Sequence, residues 1–404
     1  MSQPSTRPAD NYSPLYFLAS VGAGGLAVSF FMYLMFWVPH PGRTVPVFED
    51  IAAAFGQGNP ALQFAIALAV LGIAVFVFLN LKSLFWNLTA LARFQKTDKY
   101  AKLRSSNGEA GLLARPLAIA MSINALFIVG MVFVPNLWSL VEYLFPAAMV
   151  AFVLTGLLAL RDIGRYLARI LSTPGAFDLS QHNSFGQILP AFALAMVGVG
   201  LSAPAAMSSN PTTVATALVL STFFAVGAVL YATIALITAI TSMLEHGVAK
   251  EAAPTLLIIV PLMTVLGILV LRQDHGLGAA FGDHTSDAAT LMFLAKALAV
   301  QVLFLLFGLA VLRQQGYFRE FVTGPKTSPV SYALICPGVA LSVLLQFFIN
   351  KGLVANQVID KFDTAYWAIT AIALASQMLM VWLLLRLNRQ HFSAAKTRAA
   401  IPAE

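Results

Sequence analysis

Charge is scarce in this chain. Of its 404 residues 10% are charged and 59% are hydrophobic, with a mean hydropathy of +0.81. Soluble domains carry roughly 25% charged residues, so a water-facing surface all round is excluded. Cysteine is scarcer still. Cys336 stands alone, which excludes an intramolecular disulfide and any CxxC metal or redox motif. No GxxxxGK[ST] loop is present, so an ATP-driven pump is excluded. The histidines (His40, His182, His246, His275, His284 and His391) fall in loops, tails or helix ends. None can oppose another inside the hydrocarbon to ligate haem. No nucleophile–base pairing stands out, no cofactor is indicated, and the sequence is not that of an enzyme.

Long apolar runs fill the chain instead. About 20 apolar residues cross the hydrocarbon of a bilayer, and backbone amides there must be satisfied within the segment, so such runs are helices. Ten qualify: Leu15 to Val38, Leu62 to Trp86, Pro116 to Val134, Trp138 to Leu160, Phe185 to Ala205, Thr212 to Met243, Pro254 to Leu271, Thr290 to Leu312, Pro329 to Ile349 and Phe362 to Leu387. Only Pro135 and Asn136 hold the third and fourth apart. The N-terminus carries Arg7 and Asp10 and lacks a basic region, short apolar stretch and small-residue cleavage site. We therefore expect no cleaved signal peptide and a first helix that stays in the membrane.

Loop charge alternates with these runs. Arg93, Lys96, Lys99, Lys102, Arg104 and Arg115 follow the second, Arg161, Arg165 and Arg169 the fourth, and Arg313, Arg319 and Lys326 the eighth. The tail adds Arg386, Arg389, Lys396 and Arg398. The opposite side has Arg43, Arg272, Lys351 and Lys361 among seven acidic residues. Positive charge marks the cytoplasmic side, which predicts both termini inside, with a cytoplasmic tail at 1–13, a membrane domain at 14–388 and a second tail at 389–404. The membrane expected is a bacterial inner membrane. The net charge of +7 is spread over interhelical loops rather than gathered in one patch, so nucleic acid is not an expected partner.

Four of the five odd-numbered runs open on proline: Pro14, Pro116, Pro254 and Pro329. Proline suits the first helical turn, where its missing N–H costs nothing. Seven or eight residues on stand Gly22, Asn124, Pro261 and Pro337, and the fifth run holds Pro190. The even runs are richer in Leu, Phe and Val, with Pro146 their one internal proline. Broken helices are tolerated where they line a cavity, whereas smooth apolar ones suit lipid. The pattern predicts an all-α membrane protein of five helical hairpins, odd helices inside around a central pore and even helices outside. At any one position the alternative is close helix packing, which also favours small residues and proline.

The stretches APTLLIIVPLMTVLG (Ala253 to Gly267), SPVSYALICPGVALSVLL (Ser328 to Leu345) and YFLASVGAGGLAV (Tyr16 to Val28) resemble the seventh, ninth and first helices of one superfamily. It comprises tellurite-resistance TehA proteins, plant slow anion channels and C4-dicarboxylate and malic acid transporters. Length and style look closer to its TsoY-like bacterial branch. The likeness covers most of the chain in helix count and proline placement, and is weak in residue identity. It implies kinked inner helices around a pore and a homo-oligomer with one pore per protomer, a trimer, with a dimer as the alternative. Family channels place a gating phenylalanine before the ninth-helix proline; here that position is Cys336. Phe127 and Phe192 are the other candidate gates.

The odd runs hold almost no acid or base. Attraction for a small anion would come from helix-end dipoles, backbone N–H groups and the neutral donors Asn124, Gln187, Thr255 and Ser331. Lys296 and Glu142 lie in even runs, Lys296 placed to snorkel. Nothing marks a proton relay, so passive flux or uniport is the economical expectation. Two rival functions remain: a sulfur- or selenium-compound transporter using the Cys336 thiol, and a quinone-binding subunit of a redox complex.

Overall fold

The computed structural model describes residues 12–180 and 183–392. Most of the two expected tails, and His182, lie outside them. Among the described residues there is no strand, and ten helices are long and apolar enough to cross a membrane. We number them span 1 (Pro14–Trp37), span 2 (Pro60–Phe94), span 3 (Asn107–Phe133), span 4 (Leu137–Ser172), span 5 (Phe185–Met207), span 6 (Pro211–His246), span 7 (Lys250–Phe281), span 8 (Asp287–Gln314), span 9 (Pro329–Val354) and span 10 (Thr364–Phe392). The division between spans 3 and 4 is sharp, because Asn136 adopts a left-handed conformation at φ 57° and a 3-10 turn, Leu137–Leu140, restarts the helix.

Odd spans are inside and even spans outside. In the most apolar stretch of each odd span 56% to 100% of residues are buried, against 22% to 33% in each even span. The five inner spans form a closed ring in the order 1, 3, 5, 7, 9 and back to 1. Each outer span packs on its own inner partner and on the next inner span, including span 10, which lies on spans 9 and 1. Connections from even to odd spans gather at one end with most of the basic residues. Connections from odd to even spans gather at the other end, with the short helix Phe48–Gln57.

Every inner span starts as a 3-10 helix and becomes α-helical later. The 3-10 segments are Pro14–Tyr16, Asn107–Leu113, Phe185–Ile188, Lys250–Leu257 and Pro329–Leu334. In four of the five a serine caps the start. The hydroxyls of Ser13, Ser106, Ser184 and Ser328 accept from the backbone N–H two residues on, at 3.3, 3.2, 3.2 and 3.3 Å. Such side-chain-to-backbone bonds supply acceptors for helix-start amides that have none.

This geometry re-registers the prolines. Pro116, Pro190, Pro261 and Pro337 each sit second or third in an α-helical segment, whose starts are Ala114, Leu189, Ile259 and Ile335. They mark junctions between 3-10 and α-helix, where the lost N–H is least missed. Pro190 is thus a helix-start residue, and the proline inside span 5 is Pro204.

Outer spans send buried polar groups to these broken helices. The amide of Asn80 donates to Ser20 O at 2.8 Å and the Ser20 hydroxyl donates to Asn80 O at 3.0 Å. Gln301 donates to Val260 O at 2.8 Å, beside Pro261. Ser376 donates to Gly338 O at 2.8 Å, beside Pro337. Lys296 is exposed on span 8. Glu142 ties span 4 to the end of span 5, accepting from the Ser208 hydroxyl and the Ser209 N–H, each at 2.6 Å.

Two glycines on span 4 test the packing. A Cβ at Gly156 would overlap the Phe224 ring of span 6, whereas one at Gly164 meets nothing within 4 Å. Gly156→Ala is expected to lower stability by about 1–3 kcal/mol, while Gly164→Ala is neutral or stabilising by up to about 1 kcal/mol. Thermal unfolding in detergent reads both; equal midpoints for the two variants would contradict the packing of span 4 on span 6.

Candidate functional site

The ring of inner spans encloses a cavity of about 730 Å³. It opens at the end where the inner spans finish, beneath connections that carry His40, Arg43 and His284 and beside His275 near the end of span 7. Its floor is set by Val21, Met121, Phe192, Pro261 and Cys336, one residue from each inner span, and nothing earlier on these spans reaches it. Just before that level stand Leu18, Leu117, Leu189, Ile258 and Ile335, all buried in the hydrophobic core. Ile335 presses on Gly22, where a Cβ would come within 2.9 Å of its Cγ2. The axis is therefore open towards the acidic end and closed by aliphatic side chains towards the basic end.

The sequence-predicted site residues divide in two. Gly22, Asn124, Phe127, Phe192, Pro261 and Cys336 lie on the wall. Pro190, Pro337, Gln187, Thr255 and Ser331 do not line this cavity, and the hydroxyls and amide of the last three are engaged elsewhere. Gln187 donates to Asn107 O at 3.0 Å and accepts from the Tyr166 hydroxyl at 2.6 Å. The Thr255 hydroxyl donates to Ala252 O at 2.7 Å. Ser331 pairs with the Tyr317 hydroxyl at 2.8 Å. They do not serve as anion contacts in this cavity: Gln187 ties the start of span 5 to that of span 3, Thr255 bonds within its own first turns, and Ser331 holds Tyr317 of the preceding connection.

The lower wall is apolar and soft. Six of the 13 methionines line the cavity, Met32, Met35, Met121, Met131, Met196 and Met207. In its lower half the polar side chains are Asn124, Thr264 and Cys336. Asn124 donates back to Ala120 O at 3.0 Å and leans on the Met196 sulfur at 3.8 Å. The Thr264 hydroxyl donates to Ala340 O of span 9 at 3.1 Å and accepts from Gln301. Of the two candidate gates, Phe192 is buried at the floor. Phe127 stacks on Phe145 of span 4, with ring centroids 6.1 Å apart and 18° between planes, which holds it against an outer helix.

The sequence places Arg272 among the loop charges, whereas the structure puts it on the cavity wall. Span 7 does not stop at Leu271. It continues to Phe281, where Gly282 caps it at φ 76°. Helical side chains lean towards their own N-terminus, so Arg272 dips into the cavity and donates to Val199 O at 2.8 Å. No carboxylate lies within ion-pair distance of it among the described residues. Further out the charges are mixed. Arg43 pairs with Asp50 at 2.6 Å, Asp274 and Asp287 line the mouth, and Lys351 sits on the π-helical turn Phe348–Val354 that ends span 9. Gly276 and Gly278 look like helix stops in the sequence, yet the helix runs through both to Phe281.

Comparison of the chain with protein families, with curated proteins and with solved structures returned no match. Ten apolar helices around an axial cavity fit a membrane channel or transporter.

Cysteine accessibility tests the position of the floor. In a Cys336→Ser background, Met35→Cys should react with a charged, membrane-impermeant methanethiosulfonate added at the acidic end, and Leu18→Cys should resist the same reagent from either side. Fast labelling at position 18 would mean that the floor is wrongly assigned.

Proposed function

We propose that this protein lets an anion cross a bacterial inner membrane along the axis of its five inner spans, as a channel or uniporter. The basic end would face the cytoplasm, by the positive-inside rule. The observation that carries the reading is Arg272, a cation on the cavity wall with no carboxylate at ion-pair distance among the described residues. A guanidinium in such surroundings attracts negative charge and repels cations. The closed floor supports an occluded state in which Phe192 and the aliphatic side chains just before it block the path. Resemblance to the TehA and slow anion channel superfamily supports the same reading, and with it a homo-oligomer having one pore per protomer.

Flux into proteoliposomes with a panel of anions and cations tests this. Chloride or nitrate should pass and potassium should not. Arg272→Gln is expected to slow anion flux by about tenfold. Phe192→Ala should raise it, and Cys336→Phe, which adds a ring at the floor, should abolish it. Potassium-selective flux, or anion flux indifferent to all three substitutions, would overturn the proposal. Cys336 on the wall also favours a second reading, transport of a sulfur or selenium compound that contacts the Cys336 thiol. Unchanged transport of such compounds by Cys336→Ser would remove it.

A further inference from the structure

The geometry points to an organic anion with an apolar body, an aryl or short alkyl sulfonate or carboxylate, as the ligand of the axial cavity. The inference rests on the reading of the cavity as an anion path and narrows that reading to a substrate class. Its first support is size. A volume of about 730 Å³ falls in the range of roughly 300–1,000 Å³ typical of small-molecule sites.

The second support is the division of the wall. Below Arg272 the polar side chains are Asn124, Thr264 and Cys336. The amide of Asn124 bonds to Ala120 O, and the hydroxyl hydrogen of Thr264 is committed to Ala340 O. A small hydrated anion entering this region would shed water and find few donors to replace it. An aromatic ring or alkyl chain gains by the same transfer, because methionine and phenylalanine side chains surround it.

The third support is the position of the charge. Arg272 spends an N–H on Val199 O, and its remaining guanidinium donors form a planar fork suited to carboxylate or sulfonate oxygens. Val199 lies seven residues beyond Phe192 on the same helix, a rise of about 10 Å. Between the cationic fork and the floor there is room for one aromatic ring or a short chain. A head at Arg272 and a body reaching towards Phe192 satisfy both halves of the wall together.

The test uses methanesulfonate, propanesulfonate, hexanesulfonate and benzenesulfonate, which stay ionised at neutral pH and so do not cross lipid as neutral acids. Binding is measured by calorimetry on the full chain in nanodiscs, and chloride flux on the same preparation in liposomes. Affinity should rise along the series, with benzenesulfonate at least about tenfold tighter than methanesulfonate and blocking chloride flux. Arg272→Gln should weaken every member by a similar factor. Val339→Phe, which narrows the lower cavity, should erase the gain from the body and spare methanesulfonate. Should that variant fail to fold, the series on the unaltered protein decides alone. Equal affinities along the series with chloride flux intact would overturn this inference and leave the anion path standing. Loss of chloride flux together with absence of sulfonate binding would overturn both.

Discussion

A backbone carbonyl or amide without a partner inside lipid costs several kcal/mol, and the architecture follows from that constraint. Five helices that begin as 3-10 turns, four of them with proline at the junction, are poorly suited to face acyl chains. They are buried in a ring, and smooth helices surround them. The outer spans do more than present an apolar surface. Asn80, Gln301 and Ser376 reach inward to Ser20, Val260 and Gly338, bonding to backbone carbonyls beside the breaks. Shielding and hydrogen bonding are supplied by the same helices.

Polar side chains on the inner spans are sorted by depth. Near the helix starts they cap, clamp and pair, as Ser13, Gln187 and Ser331 do. Beyond the floor few of them reach the cavity wall, where thioether, aromatic and branched aliphatic groups take over. Charge returns at Arg272 and at the mouth. The cavity thus has one cation, Arg272, over an apolar interior and beneath a mouth of mixed charge. What can occupy the interior therefore depends on how much water it must give up.

Much of this was legible in the sequence because each signal has a direct physical cause. Hydrocarbon thickness sets the length of the apolar runs, and loop charge confirms their number. Prolines concentrated near the starts of alternate runs, against one internal proline in the even runs, pointed to the inside–outside division. Gly22, Asn124, Pro261 and Cys336 reach the wall. Other features were hidden. The serine caps at Ser106 and Ser184 are ordinary loop residues until the 3-10 turns are seen. Gln187, Thr255 and Ser331 look like lumen donors, since donor chemistry alone does not say where a side chain points. Arg272 reads as a loop charge because hydropathy drops after Leu271, whereas the helix persists through polar sequence and two glycines until Gly282 caps it.

The five-fold packing also limits how such a molecule can move. Each outer span bridges two inner spans, and span 10 closes the circuit onto span 1. No plane divides the protein into two bodies that could rock against each other, as alternating-access transporters with paired repeats do. Tilting one inner helix loads both its neighbours through the outer span they share. The motions that remain cheap are rotations of side chains such as Phe192, or a concerted iris-like widening of the whole ring.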